Sequence, residues 1–126
     1  MKEIFLKQGF SKAPSFIDLE EAERIKLIYD TILSDLESAA HLRSDLSGKG
    51  LVREEKITQI MFPSSISANL KESKTYKQAL KQAKHLLGEN MALDFDRLIN
   101  KGPYTDTPTP LHQDVAYWIK CLINVL

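Results

Sequence analysis

At 126 residues the chain is one domain at most, able to bury roughly two-thirds of its unfolded surface. Its 17 Lys and Arg balance 17 Asp and Glu, so no net field favours nucleic acid or an anionic membrane. The single cysteine, Cys121, excludes an internal disulfide and fits a reducing compartment; with no secretory h-region and no apolar run of membrane-spanning length, a soluble cytoplasmic protein is expected.

Residues 1–16 open with a short amphipathic run, Ile4, Phe5 and Leu6, broken at Gly9 and again at Pro14. An edge strand is expected over 10–17, with Pro14 at its margin. The first strong element starts at Asp18. Asp18 with Glu21 three residues on forms an N-terminal capping pattern, and acidic Glu20, Glu21 and Glu23 suit a first turn. Ile25, Ile28, Ile32, Leu36 and Ala39 then recur every three or four residues, which predicts one long helix ending within 42–45. Ser47-Gly48-Lys49-Gly50 is a loop by composition.

Residues 56–62 (Lys-Ile-Thr-Gln-Ile-Met-Phe) are β-branched and apolar and precede Pro63, so they predict a strand. A second helix is expected over 73–87, with Tyr76, Leu80, Ala83 and Leu87 on one face and Gly88 just past its end. Its lysines, Lys74, Lys77, Lys81 and Lys84, read as a solvated face: no aromatics are interleaved and no net basic charge supports nucleic-acid binding. Residues 91–101 predict the next strand. Met91, Leu93, Phe95, Arg97 and Ile99 would share one face, and Ala92, Asp94, Asp96 and Leu98 the other. Asp94 and Asp96 have ligand-like i, i+2 spacing, but a strand with one wet face accounts for them more simply. A proline-stiffened loop follows to Pro110, and no internal repeat interrupts the chain.

The stretch with chemistry in it is 107–118, Thr-Pro-Thr-Pro-Leu-His-Gln-Asp-Val-Ala-Tyr-Trp. On a strand over 111–117, His112 and Asp114 would point to one face, and an imidazole nitrogen and a carboxylate oxygen would meet at one metal ion. That is two-thirds of a 2-His-1-carboxylate triad, which leaves open positions on non-haem Fe(II).

The order Leu98-Ile99-Asn100-Lys101-Gly102-Pro103, a short loop, Pro110-Leu111-His112-Gln113-Asp114 and then the aromatic pair Tyr117-Trp118 resembles the phytanoyl-CoA dioxygenase family. The similarity runs over 88–118, with a looser extension back to Gly9-Phe10 and the helix after Ile17. It implies an α+β chain carrying N-terminal helices and the first strands of a double-stranded β-helix (jelly roll). On that basis 1–126 is one partial domain: about 1–90 helical with one strand, and about 91–126 the start of the jelly-roll core. The implied activity is Fe(II)- and 2-oxoglutarate-dependent hydroxylation of a small organic or acyl substrate, with 2-oxoglutarate decarboxylated to succinate.

By the same resemblance His112 and Asp114 are the metal ligands, and Gln59 and Arg97 fall where relatives place residues against 2-oxoglutarate. The relatives carry a lysine and a methionine there. A charged Arg97 among Met91, Leu93, Phe95 and Ile99 would need an acidic partner or a ligand. Tyr117 and Trp118 are expected to pack in the core. The family's second histidine and its 2-oxoglutarate-binding arginine lie well downstream of the His-x-Asp strand, and no such pair follows Asp114 here. His41 and His85 are on predicted helices, where surface or capping roles are the simpler reading. Only four or five strands are predictable, against eight in a jelly roll. The apolar run 119–126 and uncovered strand edges predict self-association. Two other readings therefore stand beside the hydroxylase: an inactive, truncated relative that keeps part of the metal site, and a small α+β binding module.

Overall fold

The computed structural model describes residues 1–47, 55–106 and 108–112. Its first element, α1 (Lys2–Gln8), closes at Gly9, whose left-handed backbone (φ 81°) lets its N–H reach the Phe5 carbonyl. No strand follows over 10–17. That stretch turns at Pro14 and Ser15, with Ser15 at φ 53°, a conformation incompatible with an extended edge.

Helix α2 (Leu19–Ser34) begins where the capping pattern puts it. Asp18 has extended backbone and its carboxylate accepts the Glu21 N–H at 2.8 Å. The end differs from expectation by about two to three turns, because the predicted run through Leu36 and Ala39 is not helical. Asp35 leaves helical geometry and caps a new turn, its Oδ1 accepting the Ser38 N–H at 2.9 Å. The turns over 36–39 and a short 3-10 helix, Ala40–Leu42, still deliver Ala39 and Leu42 to the core. They lead into β1 (Arg43–Asp45), a strand the helical expectation had overwritten.

Strands β1, β2 (Ile57–Met61) and β3 (Arg97–Lys101) form an antiparallel sheet in that order, so the described chain is mixed α+β with three strands. Register pairs Ile60 with Leu98 on one side and with Arg43 on the other. Strand parity then sends Ile60 and Leu98 to one face, where they meet Ile28, Ile32 and Ala39 in a single buried cluster. Ile60 is fully buried, a side chain whose removal from water is worth about 1.5–3 kcal/mol. Tyr29 ties α2 to β3 through its hydroxyl and the Asn100 Oδ1 at 2.8 Å. The opposite face carries Ser44, Gln59, Met61, Arg97 and Ile99, none of them buried; Ile57, at the strand's start, is the buried exception.

Phe62 (φ 53°) turns the chain out of β2 into two one-turn helices, α3 (Pro63–Ile66) and α4 (Ala68–Lys71). Asp96 fixes this corner: its carbonyl accepts the Phe62 N–H at 2.9 Å and its carboxylate takes the Ser64 N–H and hydroxyl at 3.0 and 3.1 Å. The strand expected over 91–101 is consequently only its last five residues, since 91–96 has no regular structure. The core face is also the other one. Leu98 is buried, while Arg97 and Ile99 are exposed.

Helix α5 (Lys74–Leu87) matches expectation at both ends, with Ser73 as N-cap and Gly88 (φ 122°) past its last turn. Ser73 is wholly buried and its Oγ accepts the Tyr76 N–H at 3.1 Å. A second cap comes from α2. The buried Glu21 carboxylate accepts the Thr75 N–H at 2.8 Å and the Thr75 hydroxyl at 3.0 Å, and Arg24 donates to its other oxygen at 2.9 Å. The Arg24 bond first, then the Thr75 N–H, hold this carboxyl down to about 2 from its ordinary 4.5. A carboxyl depressed by folding stabilises the fold fully above its unfolded value and loses that contribution as pH falls towards the folded one. Acid titration followed by circular dichroism is therefore expected to show stability falling between about pH 4.5 and 2. Glu21→Gln should flatten that slope, and an unchanged slope contradicts the assignment.

Candidate functional site

The sheet face turned away from the helices holds a polar line across all three strands. Gln59 sits opposite Ile99 and Met61 opposite Arg97, which makes Gln59 and Arg97 diagonal neighbours on one face. Arg97 Nη1 donates to Gln59 Oε1 at 3.4 Å, and Gln59 Nε2 donates to Ser44 Oγ at 3.4 Å. Both bonds are long, at the outer limit of hydrogen-bond geometry, so they align the groups without saturating them. A guanidinium keeps several N–H donors after one such contact, in a fork that matches a carboxylate.

This changes the expected environment of Arg97. It is not a charge inserted into an apolar face, and among the described residues no carboxylate stands within ion-pair distance of it. The expectation failed because Leu98, not the run Met91-Leu93-Phe95, decides which side of β3 is buried. Arg97 and Gln59 nonetheless lie in contact on this face. Ser44, opposite Gln59 on β1, is the member sequence reasoning missed. Its one signal is the polar triplet Arg-Ser-Asp, which periodicity assigns to a helix end.

His112 lies in the loop after β3, exposed, and is not in a strand; nor is Leu111. The strand expected over 111–117 is thus absent at its first two residues, and its remainder, including Asp114 and Tyr117, lies outside the described residues, as do Trp118 and 119–126. His112 Nδ1 is 2.8 Å from the Pro110 carbonyl. A carbonyl oxygen only accepts, so Nδ1 carries the hydrogen in this contact, and ligation would fall to Nε2. This is how protein carbonyls orient an imidazole for metal binding, and it fits His112 to that part.

The other histidines are exposed elsewhere, His41 in the 3-10 helix and His85 in the last turn of α5. Asp94 is exposed, and Asp96 is committed to Ser64. Among the described residues no three His, Cys, Asp or Glu gather where they could hold a metal ion, and no helix is long and apolar enough to cross a membrane. No family model, no curated protein and no solved structure matches the chain.

Proposed function

We propose that the chain is part of an Fe(II)- and 2-oxoglutarate-dependent hydroxylase of the phytanoyl-CoA dioxygenase type, acting on a small organic or acyl substrate. In this reading β1, β2 and β3 belong to a jelly roll, and their helix-free face looks into its interior. The observation that carries the reading is the Arg97–Gln59–Ser44 line on that face. It joins two residues 38 apart in sequence that the family resemblance, and nothing in their local pattern, puts against one co-substrate.

His112 through Nε2 and Asp114 through its carboxylate would hold Fe(II), which when bound supplies the activation of oxygen and 2-oxoglutarate. Arg97 presents its guanidinium to a 2-oxoglutarate carboxylate, and Gln59, held between Arg97 and Ser44, offers an amide to the same ligand. With a charged donor, and with Arg97 and Ile99 left exposed by the described strands and helices, this face is suited to receive an anionic ligand beside an apolar one.

Substitution of Arg97 separates this role from a structural one. Arg97→Ala should leave stability within about 0.5 kcal/mol, as for an exposed residue off the core. Its charge-assisted contact is worth roughly 1.5–3 kcal/mol, so 2-oxoglutarate affinity measured by calorimetry with Mn(II) as a redox-silent ion should fall about tenfold or more. Unchanged affinity would reduce Arg97 to a solvated charge that guards an edge strand, and would favour the reading of the chain as an inactive relative or a small binding module.

A further inference from the structure

We propose that the outer face of α5 docks against the outer face of α2 in a second copy of this chain. Helix α5 carries Lys74, Lys77, Lys81 and Lys84 and no acidic residue. Lys77, Leu80, Lys81 and Lys84 line a shallow surface groove together with Glu89. Lys74 pairs with Asp18 and Lys77 with Glu72, at 3.2 and 2.7 Å. Lys81 and Lys84, one turn apart on the same face, have no ion-pair partner among the described residues.

Helix α2 offers the complement. Its Glu21 is taken by Arg24 and its Asp30 by Lys26. Glu20 and Glu23, also one turn apart, are exposed and without an ion-pair partner among the described residues. They are flanked by Leu19 and Leu27, 76% and 67% exposed, as Lys81 and Lys84 are flanked by Leu80. Equal i, i+3 spacing lets both Glu–Lys contacts close at once while the leucines cover each other. Within one copy the two helices meet at their N-terminal ends, through Asp18–Lys74 and Glu21–Thr75, and leave these pairs apart.

A second copy suits this face better than it suits the sheet edge. Antiparallel self-pairing of β3 centred on Ile99 would set Arg97 across from Lys101, like charges opposed at both ends. The zero net charge of the chain raises no general repulsion between copies. A contact between two different surfaces closes as a reciprocal two-fold pair or a ring where the rotation allows it, and otherwise propagates head to tail. It needs neither metal nor 2-oxoglutarate, so its failure and that of the hydroxylase reading are separable.

Sedimentation of the whole chain tests it. In about 50 mM salt the average mass should rise with protein concentration, and about 500 mM salt should weaken association on the order of tenfold by screening the exposed pairs. Lys81→Glu with Lys84→Glu, and separately Glu20→Lys with Glu23→Lys, should each sediment as a monomer with unchanged circular dichroism. An equimolar mixture of the two charge-reversed variants should associate again, because each then presents what the other lacks. A wild type that stays monomeric at low salt overturns the proposal, as does association that persists in both variants alone. So does a monomer that floats with phosphatidylserine vesicles through Lys81 and Lys84, which would assign the groove to a lipid surface.

Discussion

Arg43→Ala and Glu55→Ala are each expected to cost about 3–5 kcal/mol of folding stability, the usual penalty for stranding one member of a buried ion pair. The two side chains are only 8% and 6% exposed, and Arg43 Nη2 lies 2.8 Å from Glu55 Oε2. Arg43 Nε adds contacts to both carboxylate oxygens at 3.0 Å, Nη1 donates to the Leu33 carbonyl at 2.8 Å, and the Thr58 hydroxyl donates to Glu55 Oε2 at 2.7 Å. Burial pushes the Glu55 carboxyl up, but the bonds from Arg43 and Thr58 outweigh it and leave it below its ordinary value. The cluster thus fastens the end of α2, strand β1 and the entry to β2 around two charges that water no longer solvates.

Against a total stability of about 5–15 kcal/mol, either single change removes a large share. Replacing both partners with apolar residues of similar volume, Arg43→Met with Glu55→Leu, should recover most of the loss, since desolvation roughly cancels attraction in such pairs. Urea unfolding followed by circular dichroism measures all three variants. Single substitutions that cost less than about 1 kcal/mol would mean the pair behaves as a surface salt bridge.

That cluster illustrates what the chain reveals before folding and what it conceals. Helix α5 is legible because Ser73, Gly88 and a regular apolar period are all local signals. The start of α2 is legible for the same reason. Its end is not, because Leu36 and Ala39 keep the helical period while reaching the core by a different backbone path. Asp35 followed by Ser38 is the local sign of that break, a capping pair like Asp18 and Glu21 but in the middle of the run. Strand β1 has three polar residues and no period. It exists because Arg43 finds Glu55 and Ile60 across the sheet, contacts that no window of sequence contains.

At β3 the alternation over 91–99 points to the wrong face. Met91, Leu93 and Phe95 outnumber Leu98, yet the strand starts only at Arg97, so they have no part in its pleat. A strand's two faces differ by one residue, and an error in where it begins inverts the inference. Gln59 and Arg97, which the family resemblance places against one co-substrate, stand by strand parity on one face of the sheet. The i, i+2 spacing of His112 and Asp114 put His112 in a strand. Instead it stands in the Pro-rich loop, where the Pro110 carbonyl orients its ring.

The account requires His112 and Asp114 to bind metal together. Two ligands hold Fe(II) only loosely, because the remaining positions fall to water, and among the described residues no three His, Cys, Asp or Glu gather to hold a metal ion. Weak binding that depends on both residues is therefore expected, with no succinate formed from 2-oxoglutarate by the 126-residue chain alone. The most direct measurement is an anaerobic Fe(II) titration of the chain and of its His112→Ala and Asp114→Ala variants, with and without 2-oxoglutarate. The account predicts saturable binding in the parent chain, lost in each variant and strengthened by 2-oxoglutarate only when Arg97 is intact. Binding of equal strength in all three proteins, or none in the parent, would contradict it.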